Sequence, residues 1–299
     1  MGSVYACLFC EAGHNVWAVD TWRDHVDAIN ASGLRLEGAS GNRTVRGIAA
    51  TTDFADVGAC DLVVIATKAS GVEVAARSIA RNLPDNALVL TIQNGLGAAE
   101  RITAHLPAGR VLLGVADGFG ASLKGPGHAH HAAMNLIRIG EVAGGASARA
   151  HALAETWRRA GFRTQAYDDI QQLVWEKFLC NVTFSAACTV FDMTVGELMT
   201  HPERWQIALG AMHEAHAIAL AKGIKLSFDD PVAHVTRFGA GMPGARPSML
   251  LDHMAHRISE LDAINGQVPE LGRQLGLATP YNDTLVEILK QREAKFGRS

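Results

Sequence analysis

Asp61-Leu-Val-Val-Ile-Ala-Thr67 is a near-continuous apolar run, followed at once by Lys68. Without polar alternation, it reads as a strand buried on both faces, as parallel sheets require. Ala87–Ile92 and Val111–Val115 repeat the pattern, with helical periodicity over Val72–Leu83 and Ala98–His105 between them. Upstream, Met1–Ala12 reads as a helix closed by Gly13, Asn15–Asp20 as a short strand and His25–Ser32 as a helix. An extended polar stretch follows Gly33. This alternation predicts a doubly wound α/β domain. Near Lys124-Gly-Pro-Gly127 it becomes a hairpin-like pair of strands, ending at Ile137–Gly140. A helix over Ala146–Ala160 and an extended Phe162–Tyr167 come next, and after Asp169 helix follows helix. We therefore expect an α/β domain over residues 1–169 and an all-α domain over 170–299.

Composition narrows the class. The chain has 299 residues, 48% hydrophobic and 19% charged, with a net charge of -3. That is long enough for two cores. No basic stripe suggests nucleic acid, and no apolar run approaches the ~20 residues that span a bilayer. The five cysteines are an odd, thinly spread set, as in a reducing cytoplasm. Cys7-Leu-Phe-Cys10 matches C-x-x-C, but without a thioredoxin-like context it reads as two small apolar residues on a packed helix. In His128-Ala-His130-His131, strand alternation puts His128 and His130 on one face and His131 on the other. No carboxylate or cysteine pattern completes a site there, so no metal is expected.

Two separated segments carry the chemistry. Trp175-Glu-Lys-Phe-Leu-Cys-Asn181 reads as a helix with Lys177 and Asn181 four residues apart, on one face. Ser248-Met-Leu-Leu-Asp252, running on to Glu260-Leu-Asp-Ala-Ile-Asn-Gly266, reads as another helix, with a hydroxyl, two carboxylates and a final Asn-Gly stop. A lysine can donate a proton to a carbonyl oxygen, and uncharged donors can hold a carboxylate. The pattern suits a small, negatively charged carbonyl compound. On a straight helix Ser248 and Glu260 would lie about 18 Å apart. They cannot then both touch one small acid.

The start of the chain is distinctive. A dinucleotide site opens with a strand and a G-x-G-x-x-G turn into a helix. Here the helix comes at once, Gly2 falls where the third glycine would be, and a Rossmann-like strand ending at Asp20 follows. The first strand and first two glycines are missing from the pattern, so the natural start is expected upstream of Met1. If Met1 is the true start, the alternative is a non-catalytic interaction protein.

Taken in order, the motifs resemble the ketopantoate reductase family. They are Gly2, Gly13-His14-x-Val16, Lys68, Gln93-Asn-Gly-Leu-Gly97, Gly120-Ala121, Gly125-Pro-Gly127, Trp175-x-Lys177-x-x-x-Asn181, Gly196-Glu197-Leu198, Ser248-Met-Leu-x-Asp252 and Glu260-x-Asp-x-Ile-Asn-Gly266. The resemblance implies a Rossmann domain, then an all-α domain like the C-terminal one of 6-phosphogluconate dehydrogenase, with the active site in the cleft between them. It implies reduction of a 2-oxo acid, 2-dehydropantoate or a related compound, by NADPH or NADH. Lys177 would be the general acid. Asn94, Asn181, Ser185, Ser248 and Asp252 would lie on the substrate side. Gly2, Asp20, Lys68, Asn94, Ala121 and Glu260 would lie on the cofactor side. A cytoplasmic enzyme able to form a homodimer is expected.

Three departures bear on specificity. Ser185 and Ala245 stand where the family pattern has asparagines, which puts ketopantoate itself in question. Asp20 ends the second strand of the pattern where an arginine is common. A carboxylate there favours a free ribose 2′-hydroxyl, hence NADH, although Arg23 is close enough to reverse this. The nearest alternative is an NAD-linked D-2-hydroxy-acid dehydrogenase on the same scaffold. A β-hydroxy-acid dehydrogenase is a further class, against which the Ser-Met-Leu and Ile-Asn-Gly segments argue.

Overall fold

The computed structural model describes residues 1–297. The chain divides into two compact units. The first comprises Met1–Gln93 and Ala98–Ile170; the second comprises Asn94–Gly97 and Gln171–Ser299.

The first unit runs α1 (Gly2–Glu11), β1 (Trp17–Val19), α2 (Arg23–Ser32), β2 (Leu34–Gly38), β3 (Arg43–Val45), β4 (Ala49–Thr51), β5 (Leu62–Ile65), α3 (Val72–Asn82), β6 (Leu88–Thr91), α4 (Ala98–Thr103), β7 (Val111–Asp117), β8 (Gly120–Gly125), β9 (His128–Ala133), β10 (Leu136–Glu141), α5 (Ala148–Arg159) and β11 (Thr164–Ala166). The apolar runs at β5, β6 and β7 pair in parallel, as their lack of alternation predicts. β10 joins β7 antiparallel and β11 extends β10, giving the order β11-β10-β7-β6-β5. β1 pairs only with β4 among the described residues. The extended polar stretch after Gly33 supplies β2 and β3, which form, with the β8–β9 hairpin, a separate sheet of order β3-β2-β9-β8. In β2, Leu34 and Leu36 face inward and Arg35 outward, as one-sided packing requires.

α1 is covered on two sides. Tyr5 and Phe9 meet Trp157 of α5, with ring centroids 5.1 Å away in each case. Val4 and Cys7 pack instead with Val26, Ile29, Leu34 and Leu36. This explains Cys7-x-x-Cys10. Cys7 is buried, and desolvation pushes its thiol up to about 12, so it stays an inert protonated side chain. The three histidines divide as the alternation predicts. His128 and His130 approach Glu37, whereas His131 lies on the other face against Ser40 and Phe119.

The second unit is helical: α6 (Ile170–Phe191, whose first residue groups with the first unit), α7 (Val195–Thr200), α8 (Pro202–Ala221), α9 (Pro231–Ala240), α10 (Ser248–Met254), α11 (Gln267–Leu275) and α12 (Pro280–Glu293). α6 is apolar nearly all round, the mark of a central helix. Trp175, Phe178, Leu179, Val182, Phe184 and Ala186 are all buried in its core.

One expectation fails here. Ser248 to Gly266 is not a single helix. α10 ends at Met254, His256 adopts a left-handed conformation (φ 52°), and only a short 3₁₀ turn, Leu261–Ala263, follows. The estimate of about 18 Å between Ser248 and Glu260 assumed a straight helix and does not apply.

Glu141 of β10 accepts from Arg149 Nε at 2.7 Å and from the Ser147 hydroxyl. The Arg149 hydrogen bonds hold its carboxyl below the usual range. Its contribution to stability is therefore present above the unfolded carboxylate pKa and lost as pH falls through the lower folded value. The stability gap between wild type and Glu141→Gln, followed by urea unfolding, should be widest near neutrality. It should close below about pH 4.

Candidate active site

In the first unit the candidate cofactor residues gather around the start of α1 and the strand ends. A Cβ on Gly2 would sit 3.4 Å from Ala66 Cβ, so α1 begins against the segment that leads from β5 to Lys68. Lys68 precedes the 3₁₀ turn Ala69–Gly71. That segment is held by Gln93, whose Nε2 donates to the carbonyls of Ile65 (2.7 Å) and Thr67 (3.1 Å). Arg101 donates to Ala69 O at 3.0 Å. Sequence reasoning gave Gln93 no role of its own; its signal was an uncharged amide directly after a buried strand.

Asp20 lies beyond β1, and its Oδ1 accepts from Trp22 N–H at 2.9 Å. The half-exposed Trp22 indole stacks on His25 at 5.6 Å and 10°. His25 is buried, and its Nδ1 accepts from Gly127 N–H at 3.0 Å, which leaves the proton on Nε2, 3.5 Å from Ser3 Oγ. Desolvation lowers its pKa, so it stays neutral. This chain of contacts runs from Asp20 to α1. Ala121 stands apart from it, on β8 beside a register shift, and packs towards the cluster that includes Val4.

In the second unit Lys177, Asn181 and Ser185 repeat at four-residue spacing along α6 and form one stripe. Lys177 and Asn181 are partly exposed on this otherwise buried helix, while Ser185 is 5% exposed. Ser248 is exposed at the first turn of α10. Asp252 is buried and accepts from Arg257 Nε at 3.0 Å, so this carboxylate, expected beside the substrate, has a structural partner.

The Asn94 segment differs from expectation too. Assigned to the first domain by sequence, Asn94–Gly97 packs with the second unit. Leu96 N–H donates to Ala263 O at 2.9 Å. Gly95 has φ 82°, and a Cβ there would lie 2.1 Å from Ala263 O. Glu260 opens the same turn, its carbonyl accepting from Ala263 and Ile264 N–H. Asn94 and Glu260 are thus brought to one short segment. The segment is anchored at its start by Glu293, which accepts from Ser259 N–H (2.9 Å), Ser259 Oγ (2.6 Å) and His253 Nε2 (3.0 Å).

Comparison with known proteins agrees with this anatomy. The family model described as "Ketopantoate reductase PanE/ApbA" matches residues 1–144, and "Ketopantoate reductase PanE/ApbA C terminal" matches 169–293. The chain belongs to the ketopantoate reductase family. It is 31% identical to the 2-dehydropantoate 2-reductase of Halobacterium salinarum over 89% of this chain and 87% of that one. Identity to the enzyme of the same name from Streptococcus pyogenes is 26%, over 98% and 95%. Among solved structures, a PanE/ApbA family ketopantoate reductase from Ralstonia eutropha superimposes with a TM-score of 0.88 at 28% identity, covering 97% and 94%. D-mandelate dehydrogenase, solved with NADH and anilino(oxo)acetate, gives 0.90 at 25%, covering 99% and 96%. The fold is thus a Rossmann-like domain followed by a helical one.

Gly95→Ala tests the turn. The added Cβ meets backbone and the φ is unfavourable, so a loss of about 1–3 kcal/mol is expected. Urea denaturation measures it, and a change under about 0.5 kcal/mol would contradict the packing described.

Proposed function

We propose that this chain reduces a 2-oxo acid to the 2-hydroxy acid with NAD(P)H, with Lys177 as general acid. The observation that carries the reading is the stripe Lys177–Asn181 on α6. Between Trp175 and Thr189 of α6 every residue is buried except Lys177 and Asn181, which form a polar, partly exposed line, in a chain whose two halves both match the reductase family.

When bound, NAD(P)H would supply the hydride for the substrate C2. The Lys177 ammonium donates to the 2-oxo oxygen and gives up its proton as the alkoxide forms. Asn181 and Ser248 hold the carboxylate or hydroxyl of the acid, which fixes the carbonyl's orientation. Ser185 backs the stripe from within. Glu260 and Asn94 serve the same centre from their common turn. Asp252, placed on the substrate side by the family resemblance, also orders Arg257 through Oδ1.

The cofactor suits the residues of the first unit. The N-terminal turn of α1 has backbone N–H groups without intrahelical acceptors, a setting that favours the pyrophosphate. Asp20, oriented by the Trp22 N–H, has its second oxygen to accept from a ribose 2′-hydroxyl. Lys68, Gly2 and Ala121 complete this side. Asp20 favours NADH, and Arg23 is the residue able to oppose it. The D-mandelate dehydrogenase likeness supports a second substrate reading, a bulkier apolar 2-oxo acid in place of 2-dehydropantoate. Ser185 and Ala245, at positions where the family pattern has asparagines, favour the same alternative.

Five free thiols fit a reducing cytoplasm. No helix among the described residues is long and apolar enough to cross a membrane. Exposed Leu251, Met254 and Ile258 favour self-association as a homodimer, which light scattering would read.

Lys177→Ala should lower kcat about 10²–10⁴-fold with little change in cofactor affinity. Steady-state rates on a panel of 2-oxo acids, with a parallel cofactor titration, test this, and a near-normal kcat would remove the assignment. Wild type should use NADH at least as well as NADPH. Carboxylate–phosphate repulsion at Asp20 is expected to exceed about 1 kcal/mol, roughly fivefold in kcat/KM. Asp20→Ala should gain NADPH activity. A tenfold NADPH preference unchanged by that substitution would mean that Asp20 does not face the ribose.

A further inference from the structure

Asn265 is fully buried, and its Nδ2 donates twice. One bond, of 3.0 Å, reaches the Val182 carbonyl on α6. The other, of 2.9 Å, reaches Asn282 Oδ1 on α12. Asn282 in turn donates to Ala211 O and Glu214 on α8. The amide therefore ties three helices to the Glu260–Gly266 turn. Val182 directly follows Asn181, and Ala263, two residues before Asn265, carries the carbonyl that receives Leu96 N–H.

We propose that Asn265 is a positioning residue for the reduction. It fixes the Lys177–Asn181 stripe against the turn that bears Glu260 and holds Asn94. This rests on the functional reading given above. The bond to Val182 carries the effect, because among the described residues it is the one that connects the amide to α6 beside Asn181. The bond to Asn282 anchors the amide to the rest of the bundle.

The full chain and its Asn265→Ala, Asn265→Ser and Asn282→Ala variants should be compared by calorimetric melting, NADH and NADPH titration, and kcat and KM with 2-dehydropantoate and phenylglyoxylate. Folded Asn265→Ala should lose kcat roughly 10–100-fold, as expected when reacting groups shift by up to about 1 Å, while cofactor affinity holds. Asn265→Ser, which keeps a short donor, should recover part of the loss. Asn282→Ala should melt earlier yet keep kcat, because the Val182 bond survives. Equal kcat losses in Asn265→Ala and Asn282→Ala, or an unchanged kcat in Asn265→Ala, would overturn the proposal. So would failure of both Asn265 variants to fold, which would make the amide a structural tie only.

Amide hydrogen exchange gives a readout independent of turnover. Asn265→Ala should speed exchange in residues 94–97 and 259–266 and leave the first unit unchanged; unaltered exchange there overturns the proposal. Wild type inert towards both acids with both cofactors would fail the functional reading alone, since exchange still decides whether Asn265 orders the turn.

Discussion

A carboxamide with no exposed surface has to find its partners inside the protein, and in the helical unit that requirement organises everything near α6. Asn265 reaches Val182 and Asn282 at once, and Asn282 passes the connection on to Ala211 and Glu214. Glu214 is half-buried, and desolvation raises its pKa even though the Tyr281 and Asn282 N–H groups favour its charged form. A linked polar network inside an apolar bundle has little tolerance for sliding, because each lost bond leaves a desolvated group behind. Apolar packing brings α6, α8 and α12 together; Asn265 sets α6 against the Glu260–Gly266 turn, and Asn282 ties α12 to α8.

The strands and helices that repeat along the chain were readable because burial on both faces of β5, β6 and β7 leaves a continuous apolar run. A different signal, the four-residue spacing of Lys177 and Asn181, put those two side chains on one face of α6. Sequence pattern failed where contacts at long separation decide conformation. Nothing local to Ala255–Ser259 says that α10 stops; Glu293, 34 residues beyond Ser259, holds that segment out of the helix. Likewise Asn94–Gly97 follows a Rossmann strand, and only the close approach of Gly95 to Ala263 assigns it to the helical unit. Asn265 was legible as an Asn-Gly stop, but its reach to Val182, 83 residues away, was not. The Asp252–Arg257 bond was not legible either, because it spans a turn that the straight-helix reading did not contain.

The cofactor side relies on uncharged groups for its geometry. Gln93 secures the segment before Lys68 through two backbone carbonyls, and neutral His25 links α2 to both Gly127 and the start of α1. Neither adds a formal charge, whereas Arg101 brings a cation to the same segment through its bond to the Ala69 carbonyl.

Glu293 closes α12, and its carboxylate holds Ser259 and His253. Phe296 packs edge-on against the same histidine, at 5.1 Å. The tail of the chain is thereby wired to the residue just before Glu260. Order in the segment before Glu260 is thus set in part by residues more than thirty positions downstream, so a substitution at Glu293 or Phe296 reaches that turn without touching it.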